Sequence, residues 1–385
     1  MTGLSVELLR LIVGQVFLHA SMAGLRMAAP LLALREGYSA AAVGVLLALF
    51  ALTQVFLALP AGRYADRHGL RRPFGLAVIA ATVGTGLAVA FPHFLVLCLG
   101  ALLTGGAAGA AAIALQRHVG RAAEGGTQLR QVFSWLAIGP AFSNFLGPFA
   151  AGLAIDHGGF ALAFLLMALL PVIGWSFVRA APELPPVQAP AGERDRPAWD
   201  LLAEPGFRRL LIVNWLLSSC WDVHTFVVPV LGHERGLSAS AIGTILGAFA
   251  VAAVAVRIVL PSLAAQVKEW AVVTAAMAAT AVLLAIYPFL QGPYSMGACS
   301  VLLGVALGAV QPMIMSTLHQ ITPGHRHGQA VGLRLMAINA SSVAMPMLFG
   351  LAGATVGIAG VFWAVGAVVA AGTRMAWRLQ EAQSP

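Results

Sequence analysis

The chain alternates between long apolar stretches and short polar breaks. The apolar stretches are continuous and about 20 residues long, enough for a helix to cross the ~30 Å hydrocarbon core of a bilayer. They lack the residue-by-residue alternation of a membrane β-barrel strand. This pattern predicts an all-α integral membrane protein with twelve transmembrane helices. The spans lie near residues 8–34, 39–62, 73–91, 94–116, 131–155 and 160–179, then 208–231, 239–263, 270–290, 295–318, 329–353 and 358–377. Gly and Pro are frequent inside them, which lipid-embedded helices tolerate. Between the sixth and seventh spans lies "AAPELPPVQAPAGERDRPAWDLLAEPG", too rich in Pro and charge to cross a membrane. The expected organisation is a six-helix bundle over 1–179, a cytoplasmic linker over 180–206 and a second six-helix bundle over 207–385.

The two halves repeat. "APLLALREGYSAAAVGVLLALF" from Ala29 aligns with "VPVLGHERGLSASAIGTILGAF" from Val228. Pro30 meets Pro229, Glu36 meets Arg235, Ser39 meets Ser238, Gly44 meets Gly243 and Phe50 meets Phe249. Gln15 falls opposite Asn214 and Arg10 opposite Arg209. The seventh span therefore restarts the pattern of the first, as in membrane proteins built from parallel six-helix repeats.

Composition agrees. Of the 385 residues, 59% are hydrophobic and only 9% charged, with a mean hydropathy of +0.88. About 25% charged residues is usual for a water-facing surface. The net charge of +8 does not imply nucleic-acid binding, because of where the charges lie. With both termini in the cytoplasm, seventeen of the 22 basic residues fall on that side, and only Arg35 and Arg235 on the other. Arg26, Arg257 and Arg334 lie within spans. Cys98, Cys220 and Cys299 are far apart and form no CxxC, so neither a disulfide framework nor a metal knuckle is expected. The N-terminal "MTGLSVELLRLIVGQ" reads as the lead-in to a retained first helix, not a cleaved signal.

Between the second and third spans stands "AGRYADRHGLRRP", Ala61 to Pro73, read as a short turn. Gly62 and Gly69 allow close approach and positive φ there. Asp66 can accept hydrogen bonds from a helix N-terminus or pair with arginine. Arg67, Arg71 and Arg72 stay on the cytoplasmic side. Here the chain resembles the major facilitator superfamily, whose signature loop reads roughly G-x-L-x-D-R-x-G-R-[RK]. Gly62, Asp66, Arg67, Gly69 and Arg71 match; Tyr64 replaces the usual Leu, and Leu70 takes the first basic place. The resemblance covers the whole chain. It implies alternating access, with two bundles rocking around a central cavity lined by helices 1, 4, 7 and 10, and this loop latching the outward-facing state. The second half's equivalent, "LPSLAAQVKEW" from Leu260, has lost the Gly and the Asp, so only one latch is expected. In the fifth span, "LGPFAAG" within "GPAFSNFLGPFAAG" resembles an element of the superfamily's exporters; ordinary helix packing is the competing reading. Ala101 stands where many proton-driven exporters carry an arginine in the fourth helix, which leaves the coupling ion open.

Ionisable groups inside spans cost several kcal/mol unless they face a cavity or a partner. Gln15, His19, Met22 and Arg26 form one stripe on the first helix. Asn214, Ser218, Asp222 and Thr225 form another on the seventh, with Trp221 and His224 adjacent. Arg26 is the leading cavity-facing cation; a structural ion pair or snorkelling are its alternatives. Asp222, the one acid well inside a span, suits a proton carrier or a permanent partner of Arg26 or a histidine. His19 and His224 are further candidates for proton coupling. Asn144, Gln311 and Asn339 are possible substrate contacts. Arg257 and Arg334 lie near cytoplasmic helix ends, where snorkelling or gate pairing would occupy them. His319, His325 and His327 cluster in "HQITPGHRHG", with no acid or thiol nearby to complete a metal set.

These features point to a secondary active transporter of the bacterial cytoplasmic membrane, expected to act as a monomer and to need no cofactor. Its expected cargo is a small organic solute with an anionic group, exported in exchange for protons. Alternatives are proton-coupled uptake of a small organic anion, or movement of lipid by the same fold. No HExxH, GxSxG or phosphate-loop motif suggests an enzyme, and the only lysine is Lys268.

Overall fold

The structure, a computed structural model, describes residues 5–38, 40–184, 196–237 and 239–383. The first four residues, Ser39 and Ser238 of the repeat, the linker stretch 185–195 with Arg194, and the last two residues lie outside it. No strand occurs among the described residues. The helices are α1 (Val6–Arg35), α2 (Ala40–His68), α3 (Arg71–Ala90), α4 (Phe94–Ala122), α5 (Gly125–Leu136), α6 (Ile138–Val178), α7 (Pro205–Glu234), α8 (Ala239–Leu263), α9 (Glu269–Ile286), α10 (Pro293–Gly308), α11 (Val310–Ile321), α12 (His327–Trp377) and α13 (Leu379–Gln383).

Ten helical stretches of the described residues are long and apolar enough to cross a membrane. One of them, Gly125–Val178, has 54 residues, nearly three times the length a single crossing needs. Gly159, at φ 75°, divides it. Gly357, at φ 74°, divides the 51-residue α12 in the same way. Only glycine takes that left-handed conformation without cost. Large apolar side chains such as Phe56, Phe145, Val251 and Leu95 point outward, as lipid-facing surfaces require.

The boundaries differ from expectation in three places. The motif from Ala61 is not a turn but the last two turns of α2; the turn is confined to Gly69 and Leu70. Gly69, at φ 76°, ends the helix as a left-handed cap. The fifth span begins at Gly125 and is interrupted at Ala137, between α5 and α6. The tenth is interrupted at Ala309 and runs on to Ile321.

The chain forms two compact units. The first comprises Met1–Ala122, Ile138–Ala198 and Pro323–Asn339; the second comprises Ala123–Ala137, Trp199–Thr322 and Ala340–Pro385. Two short segments thus pack away from their sequence neighbours: α5 belongs to the second unit, and the start of α12 to the first.

Within the first unit α1 lies along α6 through small residues. A side chain on Gly24 would stand 2.9 Å from the Gly147 carbonyl, and one on Gly174 would stand 2.8 Å from that of Gly14. Ser143 Oγ donates to the Val16 carbonyl at 3.1 Å, and Ser21 Oγ to that of Met167 at 2.6 Å. Gly139, Ser143 and Gly147 of "GPAFSNFLGPFAAG" therefore serve close helix packing.

The sequence repeat is also a packing repeat. In the first unit, a Cβ on Gly105 of α4 would collide with the Phe50 carbonyl of α2. In the second, a Cβ on Gly304 of α10 would collide with the Phe249 carbonyl of α8. One turn on, Gly109 meets Gln54 and Gly308 meets Ala253. All four pairs obey the register that aligns Pro30 with Pro229.

Candidate functional site

The α1 stripe is not uniform. Gln15 and Met22 are buried in the first unit, and Gln15 abuts Gly139. His19 is half-buried and Arg26 exposed. Arg26 is nine residues from Arg35 and twenty from Val6, about 13 Å and 30 Å along the helix axis. An exposed guanidinium so far from either helix end cannot rest against hydrocarbon without a cost of several kcal/mol. Among the described residues it has neither an ion pair nor a hydrogen bond.

On α7, Asn214 is buried, Trp221 and Asp222 are half-buried, and Thr225 is exposed. Ser342 Oγ of α12 donates to Asp222 Oδ1 at a long 3.4 Å, while Oδ2 is buried without a hydrogen-bond partner. Thr225 Oγ1 donates back to the Trp221 and Asp222 carbonyls at 3.0 and 3.2 Å. His224 points elsewhere, because residues two apart on a helix do not share a face. It is fully buried, shares a 2.9 Å hydrogen bond with Ser300 Oγ and stacks on Phe249. Ser300 in turn bonds the Tyr287 hydroxyl at 2.8 Å.

Arg257 does not snorkel. It is 7% exposed and donates to the carbonyls of Ala137 at 3.0 Å and Gly308 at 3.3 Å, the two helix interruptions noted above. Its guanidinium lies 5.8 Å from the Trp221 ring, which meets Phe249 edge-on. In the second unit, then, Arg257 reaches the ring of Trp221, the chain neighbour of Asp222. Arg334, in the first unit, is likewise buried. Asn144 is exposed and bonded to its own helix at the Pro140 carbonyl; Gln311 and Asn339 are half-buried. No group of three or more His, Cys, Asp or Glu among the described residues is placed to hold a metal ion, the three clustered histidines included.

The α2 motif makes both contacts open to Asp66. Its carboxylate accepts the amide protons of Gly328 at 2.8 Å and Gln329 at 3.0 Å, at the N-terminus of α12. There, unsatisfied N–H groups favour an anion. It also accepts from Arg117 Nε of α4 at 2.7 Å. Both side chains are buried, at 6% and 1% exposed. A Cβ on Gly62 would strike the Gly328 backbone, so glycine is needed on each side of this crossing. Arg71 donates to the Ala181 carbonyl, and the Glu183 carboxylate caps α3 at the Leu70 and Arg71 amides. Arg67 and Arg72 are exposed.

In the second half Ala265 stands at the repeat position of Asp66, and the nearby acid is Glu269. Glu269, at the start of α9, accepts from Arg130 Nη1 of α5 at 2.7 Å, Ser316 Oγ at 2.8 Å and Gln320 Nε2 at 2.6 Å. Arg130 also donates through Nε to the Ala264 carbonyl at 2.7 Å. Glu269 stands four residues beyond the position that the repeat pairs with Asp66, at the start of the next helix.

Duplicated halves with charge held inside the spans are the build of a solute transporter rather than of a membrane anchor. The sequence matches the family profile of the Major Facilitator Superfamily over residues 11–299 and 210–384, and the chain belongs to that superfamily. No curated protein matches it. Among solved structures it is similar to a bacterial homologue of the iron transporter ferroportin in an outward-facing state, at a TM-score of 0.82 and 16% identity, over 98% of this chain and all of that one. The same homologue with soaked iron gives 0.76. The human organic anion transporter MFSD10 (TETRAN) gives 0.75 at 16% identity, over 95% and 99% of the two chains. At that identity the likeness is one of fold.

Proposed function

We propose that this transporter exports a small organic solute bearing an anionic group across the bacterial cytoplasmic membrane, driven by protons. The observation that carries the proposal is Arg26, a permanent cation far inside a span, exposed and without an ion pair or hydrogen bond among the described residues. A charge so placed is stable where water or an anionic solute reaches it. The organic-anion transporter among the structural relatives fits this substrate class. Asp222 supplies the coupling group: among the described residues one carboxylate oxygen is buried without a hydrogen-bond partner and the other accepts a long bond from Ser342, so the proton has a place to sit. In this cycle the solute meets Arg26, and protonation and release at Asp222 accompany the exchange between outward-open and inward-open states.

Flux of a panel of organic anions, cations and neutral solutes into and out of proteoliposomes under an imposed proton gradient tests this. The expectation is proton-driven anion movement that Arg26→Ala reduces. Preference for cations or neutral solutes, unchanged by Arg26→Ala, refutes it. Accumulation of the anion together with protons, rather than against them, establishes uptake symport.

A further inference from the structure

A groove of about 370 Å³ runs between α1 and the first half of α6, wholly within the first unit. Ile12, Val13, Val16 and Phe17 form one wall, and Phe142 and Leu146 stand on the other. No polar side chain lines it. Its origin is local. Ser143 Oγ ties α6 to the Val16 carbonyl and Gly139 abuts Gln15, so the two helices touch along one edge. Beside that edge Phe17 stacks on Phe177, with ring centres 6.2 Å apart, and Phe142 stays 51% exposed. In a membrane span such half-covered apolar walls meet acyl chains rather than water.

Size and charge decide among the occupants. From Ile138 to Leu146 the groove follows α6 for about 12 Å. A whole helix about 10 Å across would need roughly 900 Å³ over that length, more than twice the volume present. A small polar solute would find nothing to orient it, since solute sites carry a few placed polar groups. One acyl chain meets both limits. The nearest cations then select its headgroup. Arg10 lies one turn before Val13, on the same helix face. Gly14, one turn after Arg10, packs on Val178, and Arg179 follows Val178. Both arginines therefore stand at the same end of the groove. Both are exposed, and among the described residues neither side chain makes an ion pair or a hydrogen bond. Glu7, one turn before Arg10, is the acid at this end of α1, while Glu183 is engaged at the α3 amides. Arginine stems reach from hydrocarbon to headgroup level, and basic residues there recognise anionic lipid. We propose that the groove is a resident-lipid site, which takes one acyl chain of an anionic phospholipid whose phosphate Arg10 and Arg179 hold. The site goes beyond the proposed function: this lipid is bound rather than carried, and Arg26 has no part in holding it.

Native mass spectrometry of the full chain in mild detergent tests it, by titration with palmitoyl-oleoyl phosphatidylglycerol or with phosphatidylcholine of the same chains. The parent should bind one phosphatidylglycerol at least about tenfold more tightly than phosphatidylcholine, the equivalent of one hydrogen bond to a charged group. Arg10→Gln with Arg179→Gln should remove that preference and leave phosphatidylcholine binding unchanged. Val13→Trp, which fills the groove, should remove the tight site for both lipids. Phe142→Ala, at the exposed rim, should weaken both severalfold and covers the case in which Val13→Trp does not fold. Arg374→Gln with Arg378→Gln, an exposed pair at the end of α12, should change nothing. Equal binding of the two lipids by the parent overturns the site, as does a loss of preference in the α12 control as large as in the Arg10 variant. Unchanged binding in Val13→Trp and Phe142→Ala places the lipid elsewhere and overturns it as well.

Discussion

Asp66→Asn isolates the Asp66–Arg117 pair with almost no change of shape. Asparagine keeps one oxygen for the Gly328 and Gln329 amides but loses the charge that Arg117, 1% exposed, requires. Breaking a buried ion pair at one partner costs ~3–5 kcal/mol, because the remaining charge stays desolvated. The retained acceptor moderates this, so the expected loss is about 3 kcal/mol. Arg117→Gln should cost a similar amount, since it leaves the carboxylate buried with only two amides. The double variant should cost much less than the sum, with a coupling of ~2 kcal/mol or more across the pair. The measurement is unfolding in mixed micelles of mild detergent and SDS, with all four proteins in one cycle. Glu183→Gln, at the more exposed cap of α3, serves as control and should cost ~1 kcal/mol or less. If the two single losses add to within ~0.5 kcal/mol, Asp66 and Arg117 are neighbours but not partners.

Three further outcomes are expected. Arg26→Ala should leave the thermal midpoint unchanged, since the side chain has no ion pair or hydrogen bond among the described residues to lose, while transport of anionic solutes falls by about ten- to a hundredfold, the range for one hydrogen bond to a charged group; flux assays with Arg26→Lys as a partial rescue check it. Gly105→Ala and Gly304→Ala should each destabilise by ~1–3 kcal/mol through collision with a facing backbone carbonyl, whereas Gly86→Ala, with open space around its Cα, should not; thermal melts of the three compare them directly. Asp222→Asn should abolish the response of flux to an imposed proton gradient while solute exchange without a gradient persists, as counterflow in proteoliposomes would record.

The architecture was legible because lipid imposes it. Span length, the central polar stretch and the repeat register are one-dimensional properties, and the register predicts even the matching pairs Gly105–Phe50 and Gly304–Phe249. At Asp66 the sequence named the two available partners in kind, a helix N-terminus and an arginine, and the acid uses both. It did not identify Arg117, which read only as another basic residue on the cytoplasmic side, because a partner 51 residues away leaves no local signal. Glu269 left no signal at the motif for a different reason: it stands on α9 rather than at the repeat position of Asp66, and its cation comes from α5, so composition at the motif position was uninformative. An acid at a span's first residue, next to a loop stripped of its motif, was the signal available. His224 is the converse case. Adjacency to Asp222 in the chain suggested a shared site, but a helix turns two-residue neighbours apart, and Ser300 on α10 claims the ring.

The split of α12 between two units bears on how the protein is made. Asp66 leaves the ribosome 262 residues before Gly328, whose amide it will accept. At 5–20 residues per second, this is a wait of roughly 13 to 52 s. Arg117 follows after only 51 residues, so the ion pair can form while the first six spans are being inserted. The carboxylate's cation is thus synthesised long before the late helix that completes its shell. The first half produced alone would carry that carboxylate with its amide partners missing, and the two halves produced separately would have to find each other at this joint.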